Sequence, residues 1–114
     1  MTRERPLAPY ERATLLRILE AVLVDGASEL RTQIDKTTVV GDSDGSLDLK
    51  VEGSAPRSTF PDGHIPVRAF VVGSDGEPEG ELLVWVKDGY LSWLEYAWVT
   101  DEIPRTVPAA DRIR

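Results

Sequence analysis

Residues 81–99 run Glu-Leu-Leu-Val-Trp-Val-Lys-Asp-Gly-Tyr-Leu-Ser-Trp-Leu-Glu-Tyr-Ala-Trp-Val and contain all three tryptophans of the chain. Two apolar runs joined by Asp88-Gly89 predict a β-hairpin, because this dipeptide favours the two-residue turn whose twist matches paired strands. Pairing Lys87 with Tyr90 fixes an expected register. One face then carries Leu82, Val84, Val86, Leu91, Trp93, Glu95, Ala97 and Val99, and the other Leu83, Trp85, Tyr90, Leu94, Tyr96 and Trp98. Both faces are apolar enough to need a cover. The first has the aliphatic character of a core. The four rings Trp85, Tyr90, Tyr96 and Trp98 on the second represent roughly 600 to 800 Å² if each buries about 150 to 200 Å². That exceeds the roughly 300 to 600 Å² patch common on a monomer. The expected cover is the chain's own loop and tail, a second copy of the chain, or a distinct partner or ligand.

The rest of the sequence supplies the other layer. Leu15, Leu16, Ile18, Leu19, Val22 and Leu23 fall on one arc of a 3.6-residue helix, predicting a one-sided helix over about 9–25 with Pro9 in its first turn and Asp25-Gly26 as the stop. A short second helix over 29–34 would take Ser28 as its cap, although the same letters also alternate tolerably as a strand. Residues 37–51 read as a hairpin around the turn 42–46, and 67–72 as a further strand. Between these lies a long loop, 53–66, rich in proline and glycine, and residues 73–80 form an acidic connection. The segment 100–114, with Pro104 and Pro108, reads as an extended tail. The expectation is one α+β domain over 1–114: an N-terminal helix, with a short second one, on one face of a four- to five-stranded antiparallel sheet spanning 37–99.

Composition narrows the function classes. The 114 residues include no cysteine, which removes disulfides, thiolate nucleophiles and thiolate metal sites. A net charge of −7 disfavours generic binding to nucleic acid or anionic lipid and is compatible with a basic protein partner. No apolar run is long enough to span a bilayer, and the basic N-terminus leads into a charged helix in place of a leader's apolar stretch. The expected location is therefore cytoplasmic, with no membrane or nucleic-acid partner.

Glu95 is the one ionisable residue within the apolar hairpin face, where a carboxylate could act as acid or base or could reach water and an arginine. His64, the only histidine, sits in the breaker-rich loop without a metal-binding partner at helical spacing. Asp42, Asp44 and Asp48 have the density of a calcium loop, but the glycine is at the fourth position and the twelfth lacks glutamate. Nucleophile-elbow and phosphate-loop signatures are missing. No catalytic residue, metal or cofactor is assigned. The expected function is a non-catalytic interaction module using the aromatic face, with Trp85, Tyr90, Tyr96, Trp98, Glu95 and His64 as contact residues, as a homodimer or with another protein. The alternative is a small enzyme or ligand-binding protein with Glu95 in a pocket between helix and sheet.

Leu30-Arg31-Thr32-Gln33, the turn and strand from Asp42 to Leu49, Asp88-Gly89-Tyr90-Leu91-Ser92-Trp93-Leu94-Glu95, and the tail from Ile103-Pro104 to Pro108 together make most of the chain similar to a group of small bacterial proteins common in actinobacteria. Many members of that group carry a Cys-Gly-Cys type of turn where this chain has Asp42-Ser43-Asp44-Gly45-Ser46. The resemblance implies the same helix-and-sheet fold and implies no reaction.

Overall fold

The computed structural model describes residues 4–114; the start of the basic N-terminal stretch, residues 1–3, lies outside them. The chain forms two helices, α1 (Pro9–Glu20) and α2 (Ala27–Gln33), and seven strands: β1 (Arg5–Pro6), β2 (Thr37–Ser43), β3 (Ser46–Val51), β4 (Gly63–His64), β5 (Ala69–Val72), β6 (Pro78–Lys87) and β7 (Tyr90–Trp98). The strands make one antiparallel sheet in the order β1-β2-β3-β7-β6-β4, with β5 beside β4 on the same edge of β6. The α+β reading holds, with seven strands in place of four to five. The two additions, β1 and β4, are two residues each, too short for any alternation to register in sequence.

α1 is a shorter helix than its apolar arc predicts. It stops at Glu20, where Ala21 takes the cap and Arg31 donates from Nη1 to the Leu19 carbonyl at 3.1 Å. Leu15, Ile18, Leu19 and Val22 are buried, whereas Leu23, past the helix end, is 94% exposed. At the other end Ala8 has no side chain to cap with. The Glu11 carboxylate substitutes by accepting the Ala8 N–H at 2.8 Å. Ser28 is not the cap of α2; Gly26 is, with φ +93°. A Cβ at Gly26 would run into Ser58 Oγ and lie 2.9 Å from the Phe60 nitrogen, so this position needs glycine on both conformational and steric grounds.

Both main hairpins turn through Asp-Gly with positive φ at each residue, Asp44-Gly45 at 53° and 80° and Asp88-Gly89 at 54° and 84°. The core lies between the helices and one sheet face. It joins Leu15, Ile18, Leu19, Leu30 and Ile34 to Val39, Leu47, Leu49, Leu82, Val84, Val86, Leu91 and Leu94. The C-terminal segment, read from sequence as an extended tail, ends in a short 3-10 helix, Ala110–Arg112, and is built into the same layer. Val107 and Ile113 are core residues, Thr14 Oγ1 donates to the Pro108 carbonyl at 2.7 Å, and Ile113 bridges Val71.

Candidate functional site: the uncovered face of the sheet

The Asp88-Gly89 turn sets the Lys87 to Tyr90 and Val86 to Leu91 pairs as the sequence predicts, but the ladder then shifts. Trp85 faces Trp93, leaving Ser92 as an extra residue on β7. This β-bulge inverts the parity of everything beyond it. Leu94 and Tyr96 turn into the core, opposite Val84 and Leu82, and Trp98 packs against the same core. Trp93, Glu95 and Ala97 turn outward. The expected faces are thus correct up to Leu91 and exchanged afterwards. The physical reason lies in Glu95: without the bulge its carboxylate would enter the aliphatic core, at a cost of several kcal/mol for an unpaired buried charge.

Both helices and the tail residues Val107 and Ile113 pack on the core face. Across the middle of the opposite face runs a row of cross-strand neighbours: Gly41 on β2, Asp48 on β3, Trp93 on β7, Trp85 on β6 and His64 on β4. The Trp85 and Trp93 rings stack with centroids 5.9 Å apart and planes 29° apart. His64 meets the other side of Trp85 edge-on at 5.3 Å. Such contacts contribute about 0.5 to 1.5 kcal/mol each beyond area burial. Trp85 Nε1–H donates to Glu95 Oε1 at 2.9 Å, which orients both side chains. Leu83 lies beside them, paired with Glu95. At one corner of this face Arg68 lies over Phe70, 4.9 Å from its ring centroid, and donates from Nε to Glu81 at 3.0 Å.

The six residues predicted as contacts therefore separate. His64, Trp85 and Glu95 come together on the uncovered face. Tyr90 sits at its turn end, with the Arg57 guanidinium 5.6 Å from its ring centroid. Tyr96 is buried on the opposite side, its backbone N–H held by Ser46 Oγ and its hydroxyl pushed to a raised pKa mainly by burial. Trp98 is half-buried on that same side. Trp93, Leu83 and Asp48 were not singled out in sequence as contact residues. The signal that could have found them was the misfit of Glu95 on an otherwise apolar face.

Glu95 does not lie between helix and sheet. Open clefts of about 620 Å³ border the tail, one lined by Glu79, Tyr96, Arg105 and Arg112, another by Val72, Asp111 and Arg114, and neither includes Glu95 or His64. Among the described residues there is no group of three or more histidine and carboxylate side chains placed to hold a metal ion, and no helix is long and apolar enough to cross a membrane.

Comparison of the chain with models of protein families, with curated proteins and with solved structures finds no match.

Proposed function

We propose that the protein is a non-catalytic interaction module that binds a protein partner through the helix-free face of its sheet, centred on Trp85 and Trp93. The observation that supports this is the placement of two stacked tryptophans, with Leu83 and His64 around them, on the side that neither the helices nor the tail reaches. Tryptophans in such settings anchor protein interfaces, because they bring large apolar area with little side-chain entropy to lose. Glu95 serves here as the residue that fixes the Trp85 indole.

The test compares three forms of the protein as affinity baits in lysate of the native host: wild type, Trp85→Ser with Trp93→Ser, and Leu23→Ser as an exposed apolar control on the helix layer. The expected result is a partner retained by the wild type and the control and lost by the double variant, with far-UV circular dichroism unchanged. Retention by all three forms contradicts the reading. Sedimentation of the purified protein separates out the version in which the bound protein is a second copy of the chain.

A further inference from the structure

Building on that reading, we infer that the protein bound is a second copy of the chain: the two sheets pack through this face about a two-fold axis that runs along the strands between β6 and β7, and Asp48 of each copy bonds to His64 of the other.

The order of residues across the face carries this. From β3 to β4 the row of cross-strand neighbours reads Asp48, Trp93, Trp85, His64, which is an acid, two indoles and an imidazole. The indoles stack on each other at its centre, and its two ends carry opposite chemistry. A contact between identical faces is isologous, so each residue must suit the one that the axis brings over it. An axis along the strands and between the indoles turns the row onto its own reverse. Trp85 of one copy then covers Trp93 of the other, and His64, outside Trp85, arrives where Asp48 stands outside Trp93. An axis across the strands fails the same test, because it sets Asp48 on Asp48 and His64 on His64. Sheets packed face to face keep their strands within about 30° of each other, which the first arrangement satisfies.

Both ends of the row are open to a second molecule. Asp48 and His64 are exposed, and Asp48 takes part in no ion pair among the described residues. Its carboxylate leans over Gly41, on the side away from Trp93; a Cβ at Gly41 would stand 2.9 Å from Oδ2. The His64 ring uses Nδ1 toward the Ile65 carbonyl at 3.2 Å, which leaves Nε2 to donate as an imidazolium.

The flanking rows follow the same rule. Toward the Asp88-Gly89 turn the residues run Lys50, Tyr90, Lys87, Asp62, with Asp62 held beside the turn by the Asp88 N–H. The axis brings Lys50 toward Asp62 and Lys87 over Tyr90, an ammonium over a ring. Arg57 lies beyond this row, against Gly89. On the other side Glu95 meets Leu83, with Arg68 one strand over, since Ala69 pairs with Leu82. Cations and carboxylates of the face therefore alternate between the copies.

The experiment is sedimentation equilibrium of the whole protein at about pH 6, where an ordinary histidine is mostly protonated. Over about 10 µM to 1 mM, the range in which a small interface dissociates, the wild type is expected to pass from monomer to dimer. Asp48→Lys and His64→Asp each bring like charges together at two symmetric contacts, and each should weaken the dimer about tenfold or more. The double variant reverses both contacts and should return to within about threefold of wild type, and an equimolar mixture of the two single variants should dimerise better than either alone. A second readout needs no substitution: the Trp85 and Trp93 indole resonances of labelled wild type should shift over the same concentrations while that of Trp98, on the core face, stays. A monomer at every concentration overturns the inference. So does a dimer that neither single variant weakens, or a double variant no stronger than the single ones. If the protein stays monomeric while the bait experiment still depends on Trp85 and Trp93, the inference fails and the interaction reading stands. If it stays monomeric and the baits show no such dependence, both fail.

Discussion

Gln33 ties together three segments that are distant in sequence. It is fully buried at the end of α2. Its Nε2 donates to the carbonyls of Pro56 and Gly89 at 2.9 and 2.8 Å, and its Oε1 accepts the Leu91 N–H at 2.9 Å. The amide thus fastens the loop after β3 and the β6–β7 turn to the helix layer. Gly89 O also accepts the Ser58 N–H, so the group most exposed to loss is Leu91 N–H. Gln33→Leu is expected to cost about 2 to 4 kcal/mol in urea unfolding, since buried backbone groups left unpaired cost about 1 to 3 kcal/mol each. Gln33→Glu should be worse than Gln33→Leu, because it turns a carboxylate against two carbonyl oxygens; a loss under 1 kcal/mol for either would remove this role. Glu11 is the other buried polar anchor, bonded by Arg5 at 2.8 and 2.9 Å and by Ala8 N–H. Burial raises its pKa, but the Arg5 bonds, the Ala8 bond and the Arg5 charge outweigh that and hold it below the ordinary 4.5. A carboxyl depressed in the folded state stabilises above its unfolded pKa and loses that contribution as pH falls through the folded value. Stability should therefore decline on acidification below about pH 4.5 in wild type, and that part of the slope should flatten in Glu11→Gln, as read from unfolding midpoints across the acid range.

The element that decides the character of both sheet faces is the bulge at Ser92. Turn chemistry made the β6–β7 hairpin legible, since Asp88-Gly89 specifies the turn and the turn specifies its first two pairs. Local letters do not specify a one-residue slip four positions later; that depends on which residues the helix layer will accept. Leu94 and Tyr96 fit beneath α1, α2 and the tail, and Glu95 does not. The same limit applies to β1 and β4, whose existence depends on edges supplied by β2 and β6. α1 and the hairpin of β2 and β3 were readable because their signals are local: one apolar arc, one alternation, one Asp-Gly turn. At the candidate site, His64, Trp85 and Glu95 were recognisable by residue type, whereas their grouping with Trp93 follows from the slip. Deleting Ser92 removes the extra residue and leaves every observed pair in place, so Leu94 and Tyr96 stay in the core and Trp93 and Glu95 stay outside. That deletion is expected to keep a cooperative thermal transition, and Ser92→Ala, which keeps the count, should change stability by less than about 1 kcal/mol. Loss of the cooperative transition in the deletion would show that the bulge does more than set the faces.

At the scale of the molecule, two helices and a returning C-terminal segment occupy one side of the sheet, and the aromatic row occupies the other. The tail contributes to stability through Val107, Ile113 and the Thr14 bond, and Arg112 adds a bond to the Val72 carbonyl and an ion pair with Glu79. Its docking leaves the Trp85 and Trp93 face clear. The most direct test is a chemical-shift map of the isotopically labelled protein bound to the partner purified from the bait experiment. The account predicts that the largest perturbations fall on Trp85, Trp93, Leu83, His64 and Glu95, with α1, α2 and residues 103–114 nearly unmoved. Perturbations concentrated on the helix layer or along the tail clefts, with both indoles unmoved, would contradict it.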